Sequence, residues 1–464
     1  MSDSSYLLFV GGYLVLLVLM GLFLGKREVG NSDDFMVAGR RLPLLVLVGT
    51  LLATWVGGGT VTGSANFIYT YGPFAGLLFF IGAPVGIVIL FFVAGKVRAL
   101  ARYTVPQILE MRYGSLARFL SAICIMLAYL GIISYQFKGG GYVLNLTTGM
   151  DLQTGTIISA FVMVLLAVTG GMVTIAYTDF FSALLIVGGM GIGLPFVFGK
   201  AGSWSSILGQ LSPAQLSWSG GLSTVQLLGY ILPLIFLILG DQNMFQRFGC
   251  AKDAKTAARS NVGFFIGEWL VIGLAVTYAT AAIVLFPGIR PDTAILQMAM
   301  GGVPFVIGGV ILAAAVAFMI TTGDSFLLST ATNVVYDIIQ KYFKPDMTER
   351  EKIVYTRACI VALGLLAYVI GTYFPDILKM QMYSYSMYGA AITPALLGAI
   401  LWPGVSKAGG LASIVTGGAA VLIWEIVLKR PLGWNAILVA APMSILVLIV
   451  VSLVTGRRPE TAAR

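Results

Sequence analysis

Histidine is absent from all 464 residues, cysteine occurs three times, and only 10% of the residues are charged. Without histidine, imidazole general-base chemistry and His-ligated zinc or haem are excluded. Cys124, Cys250 and Cys359 are far apart and show no CxxC spacing, so they read as small apolar packing residues rather than a metal or redox centre. The scarcity of charge is the most informative absence. A soluble domain has about 25% charged and about 45–50% apolar residues, whereas this chain is 58% hydrophobic with a mean hydropathy of +0.94. That composition specifies a polytopic membrane protein. The net charge of +9 then reflects basic cytoplasmic loops, and no nucleic-acid partner is expected. The first apolar run, residues 6–25, has no basic region before it and no small-residue cleavage site, so it reads as a retained span. Neither end carries a lipidation motif.

A membrane-spanning helix needs roughly 20 mostly apolar residues. Thirteen such segments are expected, at about 5–25, 43–72, 74–99, 117–148, 153–170, 172–199, 223–248, 261–287, 301–340, 355–374, 377–402, 408–428 and 433–455, with a short disordered tail at 456–464. With the N-terminus outside, 22 of the 28 Lys and Arg residues, Arg247 among them, fall on the inside. Lys200, Arg290, Lys379, Lys429 and Arg430 fall outside, and Lys138 lies within a span. This asymmetry follows the positive-inside rule and predicts N-out, C-in.

Two spans are interrupted. The second contains "ATWVGGGTVTGSAN", with Gly57, Gly58 and Gly59 in a row. Each glycine costs a helix about 1 kcal/mol relative to alanine, and unpaired backbone at membrane depth survives only where it is buried in protein or lines a cavity. Thr60, Thr62 and Ser64 are expected to cap the restarted half-helix. The seventh span contains "LILGDQNMFQRF", with Gly240, Asp241, Gln242 and Asn243 at a second break. A single break is equally well explained by close helix packing. Two breaks five spans apart predict two five-helix halves, 43–199 and 223–402, related as inverted repeats around a midplane site. Residues 1–25 are then an extra N-terminal helix, and 408–455 hold two extra C-terminal helices.

The ninth span carries Thr321, Thr322, Asp324 and Ser325 in "MITTGDSF". Residues 321, 324 and 325 share a helix face, and a face of hydroxyls and a carboxylate beside free carbonyls suits a hard cation such as Na⁺. Hydroxyls that merely bond back to their own helix are the simpler alternative. Asp179 in "AYTDFF" reads either as a ligand or as a helix cap at the membrane edge. Lys138 in "YQFKGGG" requires a carboxylate or a solute anion as partner, with Asp324 and Glu268 as candidates.

At this point the chain resembles the sodium:solute symporter family. The resemblance is carried by "FMVAGRRLP", "LLATWVGGG", "GGMVTIAYTDF", "GDQNMFQRF" with the basic loop "AKDAKTAARSN", and "MITTGDSFLLSTATNVVYDI", and it covers nearly the whole chain. The break "ATWVGGG" is similar to that of the high-affinity choline transporter branch, but Asp241 stands where an aromatic is expected there. The resemblance implies an all-α, leucine-transporter-like fold of five plus five core helices, with Na⁺ as the coupling ion and no organic cofactor. It implies a first sodium site at Ala53, Val56, Phe318, Thr321 and Thr322, and a possible second one at Asp179, Thr321, Asp324 and Ser325. The solute is expected where the breaks meet, at Trp55, Gly57, Gly58, Gln136, Lys138, Asp241 and Gln242, with Tyr383 or Tyr385 as a gate. An amine, a zwitterion, a sugar-like solute or a carboxylate all fit these groups. The expected protein is a monomeric transport unit, multi-pass in the lipid bilayer of a bacterial inner membrane. A sensor or a channel is the alternative class, although the chain ends nine residues after the last expected span, with no appended signalling domain. An enzyme has no nucleophile–base pair to support it.

Overall fold

The apolar runs fold into helices throughout. In a computed structural model that describes residues 4–28, 32–100, 104–374 and 376–455, twelve helices are long and apolar enough to cross a membrane, and one bent pair makes a thirteenth. They are α1 (Ser4–Phe23), the bent α2 (α2a, Leu44–Trp55; α2b, Gly59–Tyr71), α3 (Pro73–Leu100), α4 (Ser115–Thr148), α5 (Leu152–Thr169), α6 (Gly171–Ala201), α7 (Thr224–Cys250), α8 (Ala254–Leu285), α9 (Phe305–Phe343), α10 (Glu349–Gly371), α11 (Ile377–Leu401), α12 (Lys407–Val427) and α13 (Ile437–Thr455). The thirteen expected segments fall on these helices one for one. The expected tail at 456–464 lies outside the described residues.

Burial separates an inner from an outer set. In α9 and α11, 78% of the residues in the apolar window are buried, against 22% in α1 and 28% in α5 and α10. The outer helices turn large apolar side chains outward, including Leu8, Phe161, Leu365 and Val454, as a lipid-facing surface requires. α9 packs against α4, α5, α6, α1 and α10, and so stands at the centre of the bundle.

Helix ends are set by local chemistry. Ser223 and Thr348 form capping boxes with Gln226 and Glu351 at the starts of α7 and α10. Asp253 caps α8, its side chain accepting the Thr256 N–H at 2.6 Å. Between α5 and α6 the chain turns at Gly171, with φ +67° and ψ 179°, a conformation essentially reserved for glycine. A Cβ there would also stand 2.6 Å from Phe35 Cδ2. Gly171→Ala is therefore expected to cost about 1–3 kcal/mol, seen as a lower unfolding midpoint of the detergent-purified protein.

Both interruptions expected from the glycines are present. α2a and α2b meet at 52°. In α7, the segments Thr224–Gly240 (α7a) and Gln242–Cys250 (α7b) are separated by Asp241 in extended conformation, with φ −61° and ψ 119°. Arg247 differs from the sequence expectation. It is the largest fully buried side chain rather than a cytoplasmic loop residue. A basic residue near the end of an apolar run looks like a loop residue unless its partner on another helix is known.

Candidate functional site

The α2 break can be followed bond by bond. In a continuous helix the Gly57, Gly58 and Thr60 N–H groups would bond to the carbonyls of Ala53, Thr54 and Val56. Instead Gly57 N–H donates to Trp55 O at 3.2 Å, and Thr60 N–H donates to Gly57 O at 3.0 Å. Gly58 N–H leaves the helix and donates to Gln136 Oε1 on α4 at 2.7 Å. The Ala53 and Val56 carbonyls are thereby released from helical pairing. Thr62 and Ser64 do not cap α2b as expected. Their hydroxyls donate back to Gly58 O and Gly59 O, because Gln136 already receives the leading N–H.

The glycines permit close approach. A Cβ on Gly57 would lie 2.7 Å from Gln136 Nε2 and 2.8 Å from Thr322 Oγ1, and one on Gly59 would lie 2.9 Å from Gln381 Nε2 and 3.0 Å from the Tyr385 hydroxyl. Gly57→Ala overpacks this junction at a cost of about 1–3 kcal/mol. It is expected to lower solute uptake into proteoliposomes about tenfold or more.

The α9 hydroxyls divide. Thr322 Oγ1 crosses to α2a and donates to Ala53 O at 3.0 Å, so it does not simply bond back to its own helix. Ser325 Oγ does bond back, to Thr321 O at 2.7 Å, and it also accepts from Arg247 Nη2 at 2.9 Å. Phe318 is buried one turn before Thr322 on the same helix.

Asp179 lies inside α6, fully buried, and is no cap at the membrane edge. Its Oδ2 accepts from Arg247 Nη2 at 3.0 Å and from Thr50 Oγ1 at 2.5 Å. Arg247 also donates from Nε to Thr50 Oγ1 at 2.9 Å and from Nη1 to Asn243 O at 3.4 Å. One guanidinium thus ties α7b to α2a, α6 and α9. Beside it, Asp179 Oδ1, Thr321 Oγ1 and Asp324 Oδ1 are buried without a hydrogen-bond partner. Asp179 is in interaction range of both Thr321 and Asp324. Two acids thus face one guanidinium, which pairs with Asp179 alone.

The expected solute residues do not all meet. Trp55 stacks on Tyr385 with ring centroids 6.1 Å apart, and Tyr385 contacts the Tyr135 hydroxyl at 3.3 Å and receives Gln381 Nε2 at 3.2 Å. Trp55, Gly57, Gly58, Gln136 and Tyr385 therefore form one group. Tyr383 is elsewhere, tilted against Phe374 at 5.6 Å. Asp241 caps α7b by accepting the Asn243 N–H at 3.3 Å and also accepts the Tyr129 hydroxyl. Tyr388 closes the same break, donating to Gly240 O at 2.8 Å and accepting Gln242 N–H at 3.0 Å. The Gln242 side chain is spent on Val105 N–H and Ser329.

Lys138 does not pair with Asp324 or Glu268. It is half-buried, donates to Phe374 O at 3.0 Å, and borders a cavity of about 440 Å³ together with Ser134, Gln153 and Tyr368. The charged groups around it are Arg290, Asp292 and Asp376. Glu268 bonds to Trp55 Nε1 instead, at 3.1 Å. Arg247, Thr50, Tyr129, Tyr388 and Gln381 were not singled out from the sequence. Gln381 sits within "KMQMYSYSMYG", where only the tyrosines attracted attention.

Residues 35–417 match the Sodium:solute symporter family. The sodium/proline symporter of Staphylococcus aureus is 24% identical over 443 residues, covering 89% of this chain and 84% of that protein. Among solved structures, a Na⁺-coupled sialic acid symporter in a substrate-bound outward-open state superposes with a TM-score of 0.83 at 18% identity, over 97% of both chains. The crystal structure of MhsT in complex with L-phenylalanine gives 0.56 at 13% identity, over 89% of this chain and 98% of that one. None of these favours a sensor, a channel or an enzyme. The chain belongs to the sodium:solute symporter family, as a multi-pass membrane protein that carries out Na⁺-coupled secondary transport.

Proposed function

We propose that Na⁺ couples to solute movement at the junction of the α2 break and α9, and that the solute sits against the same break. The Ala53 and Val56 carbonyls, the Phe318 carbonyl and the Thr321 and Thr322 hydroxyls form the first ion site. The observation that carries this is the bond from Thr322 Oγ1 to Ala53 O at 3.0 Å, which brings a hydroxyl and a released carbonyl to one point. Oxygen ligands of this kind suit a hard cation. A second cation site is formed by Asp179, Thr321, Asp324 and Ser325, supported by the three unpartnered oxygens there.

The helices are assigned as an N-terminal extra helix at 1–25, inverted repeats at 43–199 and 223–402, and two C-terminal extra helices at 408–455, in an N-out, C-in monomeric unit of the bacterial inner membrane. Na⁺ entering from outside draws α2a to α9 and completes the solute site, and rocking of one repeat against the other releases both ligands inside. One Na⁺ moving down a potential supplies about 2.3 kcal/mol per 100 mV, and a tenfold concentration ratio adds about 1.4 kcal/mol. One ion per cycle therefore sustains a solute gradient of about two to three decades.

The solute is a small organic molecule bound among Trp55, Gly57, Gly58, Gln136 and Tyr385. Proline and sialic acid, handled by the relatives, head the panel to be tested, followed by amines, sugars and carboxylates. Proteoliposomes loaded with K⁺ and given an inward Na⁺ gradient are expected to accumulate at least one labelled member of the panel. Uptake that is unchanged when external Na⁺ is replaced by K⁺ would contradict the proposal.

A further inference from the structure

Glu268 lies about midway along α8 and is completely buried. Its Oε1 accepts the Trp55 Nε1–H at 3.1 Å, and its Oε2 has no hydrogen-bond partner. Among the described residues, no charged side chain stands within electrostatic range of it. An ionised carboxylate left this way loses its hydration and gains one hydrogen bond in return, a costly arrangement. A protonated one would need an acceptor for its O–H, and Oε2 faces none.

The surroundings share this one-sidedness. Trp55 links Glu268, at its N–H edge, to Tyr385, stacked on its ring. Tyr385 lies within electrostatic range of two acids, Asp241 and Glu268. Arg247, fully buried, is committed to Asp179, Thr50 and Ser325. Lys138, the one basic residue expected at the solute site, is turned to Phe374 O. The α2 break thus presents aromatic faces and carboxylate oxygens without a positive partner.

We propose that Glu268 is the anionic element of the solute site, and that the transported solute bears a positively charged nitrogen received at the unpartnered Glu268 Oε2, beside the face of the Trp55 ring. This rests on the placement of the solute at the α2 break. Sugars and simple carboxylates, which lack such a nitrogen, are thereby excluded. A cation is attracted to an aromatic ring when it lies within about 6 Å of the centroid. Trp55 and Tyr385 stack too closely to admit one between them, so Tyr385 moves aside when the solute enters. Hydrogen bonds to a charged partner are about twice as strong as neutral ones, and a quaternary nitrogen, which has no N–H, is held by charge attraction and the ring face instead, so Glu268 discriminates by charge, and the indole N–H holds its carboxylate in position.

The test uses the purified full chain in detergent, with thermal stabilisation measured in Na⁺ and in K⁺. The probes are choline and proline, each paired with an isostere lacking the charged nitrogen: for choline the analogue with carbon in place of nitrogen, for proline cyclopentanecarboxylate. Glucose and a sialic acid complete the set. At least one charged probe is expected to bind about tenfold or more tightly than its isostere to the unaltered protein. Glu268→Gln is expected to remove that preference while leaving stabilisation by Na⁺ alone unchanged. The proposal is overturned if no charged-nitrogen probe binds, if the isosteres bind equally well, or if Glu268→Gln shifts the Na⁺ response and not probe affinity. The isostere comparison needs no variant, so it decides the matter even where Glu268→Gln fails to fold. Charged-probe binding that is indifferent to Na⁺ would instead overturn the coupling proposal and leave the Glu268 assignment standing.

Discussion

Thr322→Ala is expected to lower Na⁺-driven uptake about 10- to 100-fold, with the external Na⁺ needed for half-maximal uptake rising about tenfold or more. The alanine removes the hydroxyl that reaches Ala53 O at 3.0 Å, and with it the direct link between α9 and the end of α2a. The Ala53 carbonyl, already without its helical donor because Gly57 N–H turns to Trp55 O, then has neither a hydroxyl nor a complete ion site beside it. Leaving a buried acceptor unsatisfied costs about 1–3 kcal/mol, and losing contact to a charged partner costs more. Thr322→Ser keeps the hydroxyl and is expected to keep most of the uptake. Initial rates measured over a range of external Na⁺ decide the matter. A variant with normal Na⁺ dependence would show that Thr322 only packs.

The second large effect concerns folding. Arg247→Met is expected to destabilise the protein by about 3–5 kcal/mol, the cost of breaking a buried ion pair from one side. The guanidinium touches Asp179, Thr50, Ser325 and Asn243, and its removal leaves Asp179 and Asp324 buried with no cation in contact. Adding Asp179→Asn to Arg247→Met removes one of the two uncompensated charges, so the double variant is expected to be more stable than Arg247→Met alone. Arg247→Lys does not restore the wild type, because a single ammonium cannot span four partners in the geometry of a planar fork. Unfolding midpoints in detergent measure all three variants, and an Arg247→Met midpoint equal to that of the unaltered protein would refute the assignment.

The fold was legible in the sequence because membrane burial leaves few options. Runs of about 20 apolar residues become helices, and three consecutive glycines in such a run break it. The same logic exposed the Gly240–Asp241 break and the hydroxyl face of α9. What could not be read were the partners. Arg247 follows an apolar run and so resembles a loop residue, and only the carboxylate on α6 shows why it is buried. Thr62 and Ser64 have the composition of caps, yet the leading N–H of the restarted helix goes to Gln136, from another span. Lys138 and Glu268 both need partners by the cost of burying charge, and the sequence leaves the choice open between each other, Asp324 and a solute anion. In the structure the Phe374 carbonyl, just past α10, takes the lysine, and the Trp55 indole takes the glutamate. Side-chain pairing depends on which helix faces meet, and periodicity within one span carries no record of its neighbours.

The central claim is that ion and solute are bound by adjoining parts of one break, and linkage offers its most direct test. If one ligand raises the affinity of the other, the converse must hold by the same factor. Binding of ²²Na⁺ to the purified protein should be measured with and without a saturating solute identified in the uptake panel, and binding of that solute with and without saturating Na⁺. The account predicts two equal factors, each about 5–150-fold, both lost in Thr322→Ala. Solute affinity indifferent to Na⁺, or full coupling retained in Thr322→Ala, would contradict it.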